Sequence, residues 1–320
     1  MNNNIQPKSD STITYILEGG VGKFVAFSSI LPALAEKNGG PVQIWGPHYQ
    51  VFANNPHVKT SFDSATIFLE DPRIASSKNI VYVEPYKSNF MKGDQHLVES
   101  FCEIVGVDYD RSMRPVMYTE EVRPEAKKWL KDVGVTGKYI MIQFSGGQPT
   151  MNYAPNVQYQ SSNPGKNYSP YFVNYIIMRL QELYPDVAII DATLPNEPAF
   201  PGTIKCDQHW SIINELLKNS SGFIAIDSCL QHFSAAAGIP GVVIWGNTRW
   251  TQFGWTHHKN MTFHSSERFN DPFKIDINDP RNIMVDPGEV LDVFVNDVFD
   301  KKVNDDEVLC AKVKQDKNSD

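Results

Sequence analysis

The sequence predicts an α/β protein built from two Rossmann-like, doubly wound parallel sheets facing a cleft. Three observations carry that prediction. Short β-branched runs alternate with segments of helical period along the whole chain, the pattern of parallel βα units. The series is interrupted once, between Asp108 and Lys138, by a polar stretch containing Pro115 and Pro124. With 320 residues the chain can form two domains of ordinary size, each burying its own core.

In chain order, strands are expected at 12–17, 42–45 and 79–84. The helix after the first strand places Phe24, Phe27, Leu31 and Leu34 on one face, with Pro32 bending it. A helix over 94–105 buries Leu97, Phe101, Ile104 and Val105, and Gly106 ends it. The interruption at 108–137 reads as a linker holding one short helix over 126–133. The second series then runs strand 139–144, helix 171–183, strand 187–191, helix 210–217, strand 223–227, helix 228–237 and strand 242–245. A closing helix is expected over 290–298. The division is therefore a flexible N-terminus 1–11, a first domain 12–137 ending in the linker, a second domain 138–300, and a flexible tail 301–320. Ligands of such sheets sit at the carboxyl ends of the strands.

Composition narrows the function. The chain is 41% hydrophobic and 21% charged, as in ordinary globular proteins. It contains no run approaching the roughly 20 apolar residues that span a bilayer. The start, Met1 to Lys8, lacks the apolar core of a secretory signal, so a cytoplasmic protein is expected. Cys102, Cys206, Cys229 and Cys310 show no CxxC spacing and read as reduced thiols. In that compartment the sequons at Asn167, Asn219 and Asn260 carry no meaning. A net charge of -8 disfavours duplex nucleic acid as the main partner, without excluding it. A small anion held by backbone N–H groups is unaffected by that total.

The most informative segment is 223–240. An apolar strand ends in Asp227-Ser228, both good N-cap residues, and a helix follows at once. The free N–H groups and dipole of such a helix form an anion site. Ser228 and His232, four residues apart, share one helical face, while Leu230, Phe233 and Ala237 share another. A hydroxyl and an imidazole one turn apart beside N–H donors suit a diphosphate. An ordinary capped helix with a hydrogen-bonded core histidine gives the same local pattern, so the segment as a whole has to decide.

That segment resembles the signature of the ADP-heptose:lipopolysaccharide heptosyltransferase family, D-[ST]-G-x-x-H-[LI]-x-A-A followed by Gly-x-Pro, a strand and a glycine loop. Asp227, Ser228, His232, Ala235, Ala236, Gly238, Pro240 and Gly246 fall on it, and Cys229 replaces the family's glycine. Three further segments are similar to family elements. Glu18-Gly19-Gly20-Val21-Gly22-Lys23-Phe24 looks like the opening glycine-rich turn, placing Gly20 and Gly22 on the acceptor-side loop. Lys166-Asn167-Tyr168 looks like the K-x-W element, whose lysine contacts the donor's sugar or phosphate. Glu197 stands where the family holds the nucleotide ribose with an acid. The likeness runs from about Thr12 to Phe299.

The resemblance implies the GT-B fold, with the acceptor mainly on the first domain and a nucleotide-sugar on the second. It implies an inverting glycosyltransferase in which a glycan or other hydroxyl displaces a nucleoside diphosphate. The nucleotide-sugar is a co-substrate; no cofactor and no metal are implied. Donor-side residues would be Lys166, Glu197, Asp227, Ser228, Cys229 and His232, with Ser145 and Gly146 at the end of the strand 139–144. Such a reaction needs a base for the acceptor hydroxyl and donors for the leaving diphosphate. The family's base is an Asp directly after the glycine-rich turn, where this chain has Lys23. A lysine acts as a base only when burial or nearby cations depress its pKa. Lys23 therefore reads as an anion-binding group or an unusual base, with Glu18 and Asp94 as the carboxylate candidates.

Two rival classes remain. A non-catalytic nucleotide-sugar-binding protein follows from the missing Asp. A nucleotide hydrolase of the deviant Walker kind is suggested by Gly19-Gly20-Val21-Gly22-Lys23. Its signature lysine is Glu18, however, and its magnesium-binding hydroxyl is Phe24. Asp108-Tyr109-Asp110 spells a DxD, but it follows a helix and reads as solvated linker. The polar insert 148–165 is long enough to act as a lid, with simple disorder as the competing reading. Among Trp245, Trp250, Phe253 and Trp255, sugar or base stacking competes with core packing, and Trp245 reads as core.

Overall fold

The computed structural model describes residues 13–65, 79–93, 95–146, 167–195, 197–246, 248–262, 285–301 and 308–310. Lys166, Asp94 and the insert 148–165 lie outside the described residues. The first half contains β1 (Ile13–Leu17), α1 (Val21–Phe27), α2 (Leu31–Lys37), β2 (Val42–Trp45), β3 (Val58–Phe62), β4 (Asn79–Val83) and α3 (Leu97–Val105). Next comes α4 (Arg123–Asp132). The second half contains β5 (Tyr139–Gln143), α5 (Pro170–Leu183), β6 (Ala188–Ala192), β7 (Ile204–Cys206), α6 (Trp210–Leu217) and β8 (Phe223–Ile226). It closes with α7 (Cys229–Ala237), β9 (Gly241–Trp245), α8 (Trp250–Phe253), β10 (Lys259–Thr262) and α9 (Pro287–Val293).

Both sheets are parallel throughout. The first has the order β3-β2-β1-β4 and the second β10-β9-β8-β5-β6-β7. In each, the chain winds outward one way from its first strand and then returns to wind the other way. The reversal lies between β1 and β4 in the first sheet, and between β5 and β8 in the second. Such switch points open a crevice at the strands' carboxyl ends. Strands buried on both faces explain the uninterrupted apolar runs: every residue of β8 and β9 is buried.

Several local expectations change. Strands β3, β7 and β10 were absent from the sequence reading because their residues (VKTSF, IKC, KNMT) are polar edge-strand sequences. The helix after β1 is broken rather than bent: a 3-10 turn, Ser28–Ile30, separates α1 from α2, and Pro32 sits in the first turn of α2. Helix α3 starts at Leu97, with the His96 ring accepting from Val98 N at 3.2 Å as its cap. The closing helix begins at Pro287, capped by Asp286, and ends in a wider turn at Phe294–Val298.

The expected linker is docked rather than free. Helix α4 packs on α6. The buried Glu215 of α6 accepts from Thr119 Oγ1 (2.6 Å), Arg123 Nε (3.1 Å) and Lys218 Nζ (2.6 Å). The tail also departs from a frayed end at 308–310. Val308 and Cys310 are buried, and Cys310 pairs with Trp255. The Arg111 guanidinium donates to the Cys310 carbonyl at 3.0 and 3.2 Å. Its carbonyl is thus anchored to the end of the first half. Among the described residues no helix is long and apolar enough to cross a membrane.

Candidate functional site

The two switch points face each other. At the first, the chain leaves β1 through Glu18 and Gly19, and Gly19 has φ +101°, a left-handed conformation that a side chain would strain. Helix α1 then packs on α7 of the other half. The approach is close at Gly22: a Cβ there would lie 2.7 Å from His232 Cδ2 and 3.4 Å from Cys229 Cα. The glycine-rich turn and the 227–232 segment are therefore parts of one site.

Lys23 follows this turn with its side chain only 8% exposed, and its ammonium lies 3.2 and 3.3 Å from the two carboxylate oxygens of Glu84. Glu84 directly follows β4, on the other side of the same switch point. Burial lowers the Lys23 pKa, while Glu84 and then Glu18 oppose the shift. The Tyr86 ring lies 5.2 Å from the ammonium. Burial, then the negative charges of Asp227 and Glu84, push the Tyr86 hydroxyl up to about 12. Glu18 is exposed at the turn and accepts a short hydrogen bond from Tyr82, whose hydroxyl is pushed up to about 12 chiefly by that bond.

At the second switch point, Ser228 is the extended N-cap residue of α7, but its hydroxyl does not cap its own helix. It donates to Gln143 Oε1, which also accepts from Leu230 N at 3.3 Å. A side-chain amide oxygen from the end of β5 thus lies at the helix terminus expected to receive phosphate. Gly146 packs beside it, an added Cβ meeting Ser228 Cβ at 3.5 Å, and its N–H donates to Asn167 Oδ1 at 3.1 Å. Glu197 is largely buried and accepts from Ser145 Oγ and Leu194 N, both at 3.1 Å. Asp227 accepts from Thr248 Oγ1 at 2.5 Å. Cys229 is half-buried and burial pushes its thiol up to about 11, so it is not a thiolate at neutral pH.

His232 is 5% exposed. Its Nδ1 accepts from the indole N–H of Trp255 at 3.2 Å, and the Gln231 amide nitrogen lies 3.1 Å from Nε2. The joint between the halves continues outward from here. Gln252 donates to the Phe90 carbonyl at 2.7 Å, Phe90 meets Phe253 edge-on at 5.1 Å, and His96 bonds the Gly254 carbonyl at 3.0 Å.

The structure therefore brings together Gly20, Gly22, Lys23 and Glu18 from the first half with Asp227, Ser228, Cys229 and His232 from the second. Gly146 lies beside Ser228, and Glu197 is bonded to the adjoining Ser145. Asp94 and Lys166 fall outside the described residues. Sequence reasoning missed Glu84, Gln143 and Thr248. Glu84 and Gln143 stand at the carboxyl ends of strands flanking a switch point, a signal that strand order would have supplied; nothing in the sequence singled out Thr248, and Trp255, a stacking or core candidate by sequence, is fully buried. Asp110 of the DxD accepts from Ser112 N at 2.9 Å in a solvated turn. Among the described residues no group of three His, Cys, Asp or Glu side chains could hold a metal ion.

No protein-family model matches the chain, and no curated protein matches it. Solved structures do. The glycosyl transferase family 9 protein of Veillonella parvula is 12% identical with a TM-score of 0.64, covering 89% of this chain and 96% of that one. The ADP-heptose lps heptosyltransferase II of E. coli is 12% identical with a TM-score of 0.60, covering 88% and 96%. The iron-containing dodecameric glycosyltransferase TibC of enterotoxigenic E. coli is 16% identical with a TM-score of 0.62, covering 89% and 75%. The fold is the GT-B arrangement of these heptosyltransferases.

Proposed function

We propose that the chain is a divergent heptosyltransferase-like enzyme that moves a sugar from a nucleoside-diphosphate sugar to an acceptor hydroxyl, with inversion. The observation that carries this reading is the meeting of two switch points. A helix terminus with an adjoining histidine, Ser228 to His232, faces a glycine-rich turn, Gly20 to Lys23, across a contact as close as Gly22 to His232. TibC has been solved in complex with ADP-D-beta-D-heptose, which supports a nucleotide-sugar in this cleft.

In this reading the second half holds the donor. The α7 terminus and His232 stabilise the charge on the departing diphosphate, Lys166 adds a cation, and Glu197 takes the ribose hydroxyls. Oxyanion donors of this kind act because they are already aimed where charge develops. The first half holds the acceptor. Lys23 is committed to Glu84, so it does not serve as a free base. Glu18, the exposed carboxylate at the turn, takes the hydroxyl proton. Transfer proceeds without a metal.

The test is product analysis by mass spectrometry with a panel of nucleotide-sugars and glycan acceptors. Transfer that survives a chelator and falls at least about a hundredfold in Glu18→Gln supports the reading, since general bases contribute about 10²- to 10⁴-fold. Metal-dependent nucleotide hydrolysis with no acceptor sinks it. The Lys23–Glu84 pair favours a second reading, a binding protein without transfer, because it puts a neutralised cation where the family has its base. Nucleotide-sugar binding with no turnover across the panel supports that one.

A further inference from the structure

We propose that Arg249 is an oxyanion-binding residue of the cleft, its guanidinium receiving a phosphate or carboxylate group of a substrate at the joint between the two halves. The proposal deepens the nucleotide-sugar reading and rests on it for the identity of the substrate. Arg249 ends the loop that leaves the carboxyl end of β9, and it is the N-cap residue of α8. In the second sheet β9 lies directly beside β8, whose own end leads into the α7 terminus. Thr248, the preceding residue, donates to Asp227 at 2.5 Å, which fixes this loop beside that terminus.

The guanidinium reaches across to the first half. A Cβ on Gly93 would overlap Arg249 Nη1 and lie 3.1 Å from its Cζ, so the group rests against bare backbone. Gly93 is itself buried and ends the 3-10 turn Asn89–Lys92 with φ +84°, a left-handed conformation suited to glycine. The same turn anchors α8. Gln252 donates to the Phe90 carbonyl at 2.7 Å, and Phe90 meets Phe253 at 5.1 Å. Arg249 is thereby held in the joint by both halves.

What the guanidinium lacks is an acceptor. Its Nε is buried without a hydrogen-bond partner, and among the described residues none accepts from its terminal nitrogens. Arg111, Arg123 and Arg179, by contrast, each donate to a carbonyl or a carboxylate. The carboxylates described around the cleft are engaged by other groups: Asp227 by Thr248, Glu84 by Lys23 and Glu18 by Tyr82. A guanidinium keeps its charge in proteins, and a half-buried charge without a partner costs stability. An oxyanion meeting the two terminal nitrogens supplies charge and acceptors together, in the bidentate geometry that arginine offers phosphate and carboxylate. That group belongs either to the donor's diphosphate, from the side of the α7 terminus, or to an anionic substituent of the acceptor, from the side of Gly93.

The experiment compares the full chain with Arg249→Gln and Arg249→Lys. Calorimetry reads affinity for ADP and UDP. The melting temperature reads stabilisation by inorganic phosphate, against chloride at matched ionic strength, with and without saturating nucleotide. Unliganded Arg249→Gln should melt as the wild type does, since no hydrogen bond or ion pair among the described residues is lost. If the oxyanion is the donor's, affinity for the better-bound nucleotide falls about tenfold or more in Arg249→Gln. It falls less in Arg249→Lys, which keeps the charge but not the fork. If the oxyanion is the acceptor's, nucleotide affinity is unchanged, and phosphate stabilises the nucleotide-saturated wild type but not Arg249→Gln. Either result supports the proposal. Unchanged responses to both ligands overturn it; a lower melting temperature alongside them identifies a structural pairing with a carboxylate of the chain instead. If the wild type binds neither nucleotide but gains stability from phosphate through Arg249, the oxyanion site stands and the nucleotide-sugar reading falls. If it responds to neither ligand, both fall.

Discussion

Lys23 and Glu84 form a largely buried ion pair, the ammonium 3.2 Å from one carboxylate oxygen and 3.3 Å from the other. They come from opposite sides of the first sheet's switch point, so the pair ties the glycine-rich turn to the end of β4. Removing one partner leaves the other charge buried and uncompensated, which is costlier than losing both. Lys23→Met and Glu84→Gln should each destabilise by about 2–4 kcal/mol, and the double variant by less than their sum. Urea unfolding measures this; additive losses would show that the two groups are not coupled.

Gln143 offers a test with two opposite signs. Its amide oxygen accepts from Leu230 N and from Ser228 at the α7 terminus. Gln143→Glu puts a negative charge there, which the helix terminus favours by about 0.5–1 kcal/mol. The melting temperature should rise slightly while affinity for a nucleoside diphosphate falls at least about tenfold through charge repulsion. Parallel changes in both quantities would place the phosphate elsewhere.

Gly22→Ala tests the contact between the halves. Its Cβ would meet His232 Cδ2 at 2.7 Å, on a ring that Trp255 holds from the Nδ1 side. The turn must move away from α7, at a cost of about 1–3 kcal/mol typical of overpacking. Nucleotide affinity should fall together with stability. A Gly22→Ala variant with wild-type melting and binding would mean that the turn and His232 do not share a site.

The fold should be sensitive to mild acid through its buried histidines. Burial pushes His96 and His258 down to about 3. Below about pH 6.5 the unfolded chain takes protons on these groups that the folded protein refuses, so stability falls as pH drops toward 3. The slope is at most about 1.4 kcal/mol per pH unit for each histidine. Asp191, whose buried carboxyl is pushed up to about 6, works the other way between about pH 4 and 6 and offsets one of the two. The urea midpoint should be lower at pH 5 than at pH 7.5, and His258→Gln should flatten the difference. A midpoint that rises on acidification would contradict the burial of both rings.

Much of this architecture was legible in the sequence because strands covered on both faces are written as plain apolar runs: 139–143, 223–226 and 241–245 could hardly be anything else. The Asp227 to Gly238 segment was legible because capping, helical spacing and a terminal glycine are local. Edge strands such as Val58–Phe62 were not, since a half-solvated strand shows little pattern. Nor were the partners that decide the chemistry. Glu84 lies 61 residues from Lys23 and Gln143 lies 85 from Ser228. Only strand order brings them together. The docked stretch at 119–123 escaped for the same reason: its anchor, Glu215, is 92 residues beyond Arg123.

The central claim is that the Ser228 terminus and His232 hold a diphosphate against the Gly20–Lys23 turn. The most direct measurement is calorimetric titration of the wild type and His232→Gln with ADP, UDP and the corresponding nucleotide-sugars. The account predicts micromolar to millimolar binding of at least one nucleoside diphosphate, weakened about tenfold or more in the variant. If no nucleotide binds the folded wild-type protein, or His232→Gln binds as tightly as the wild type, the site is not the one described.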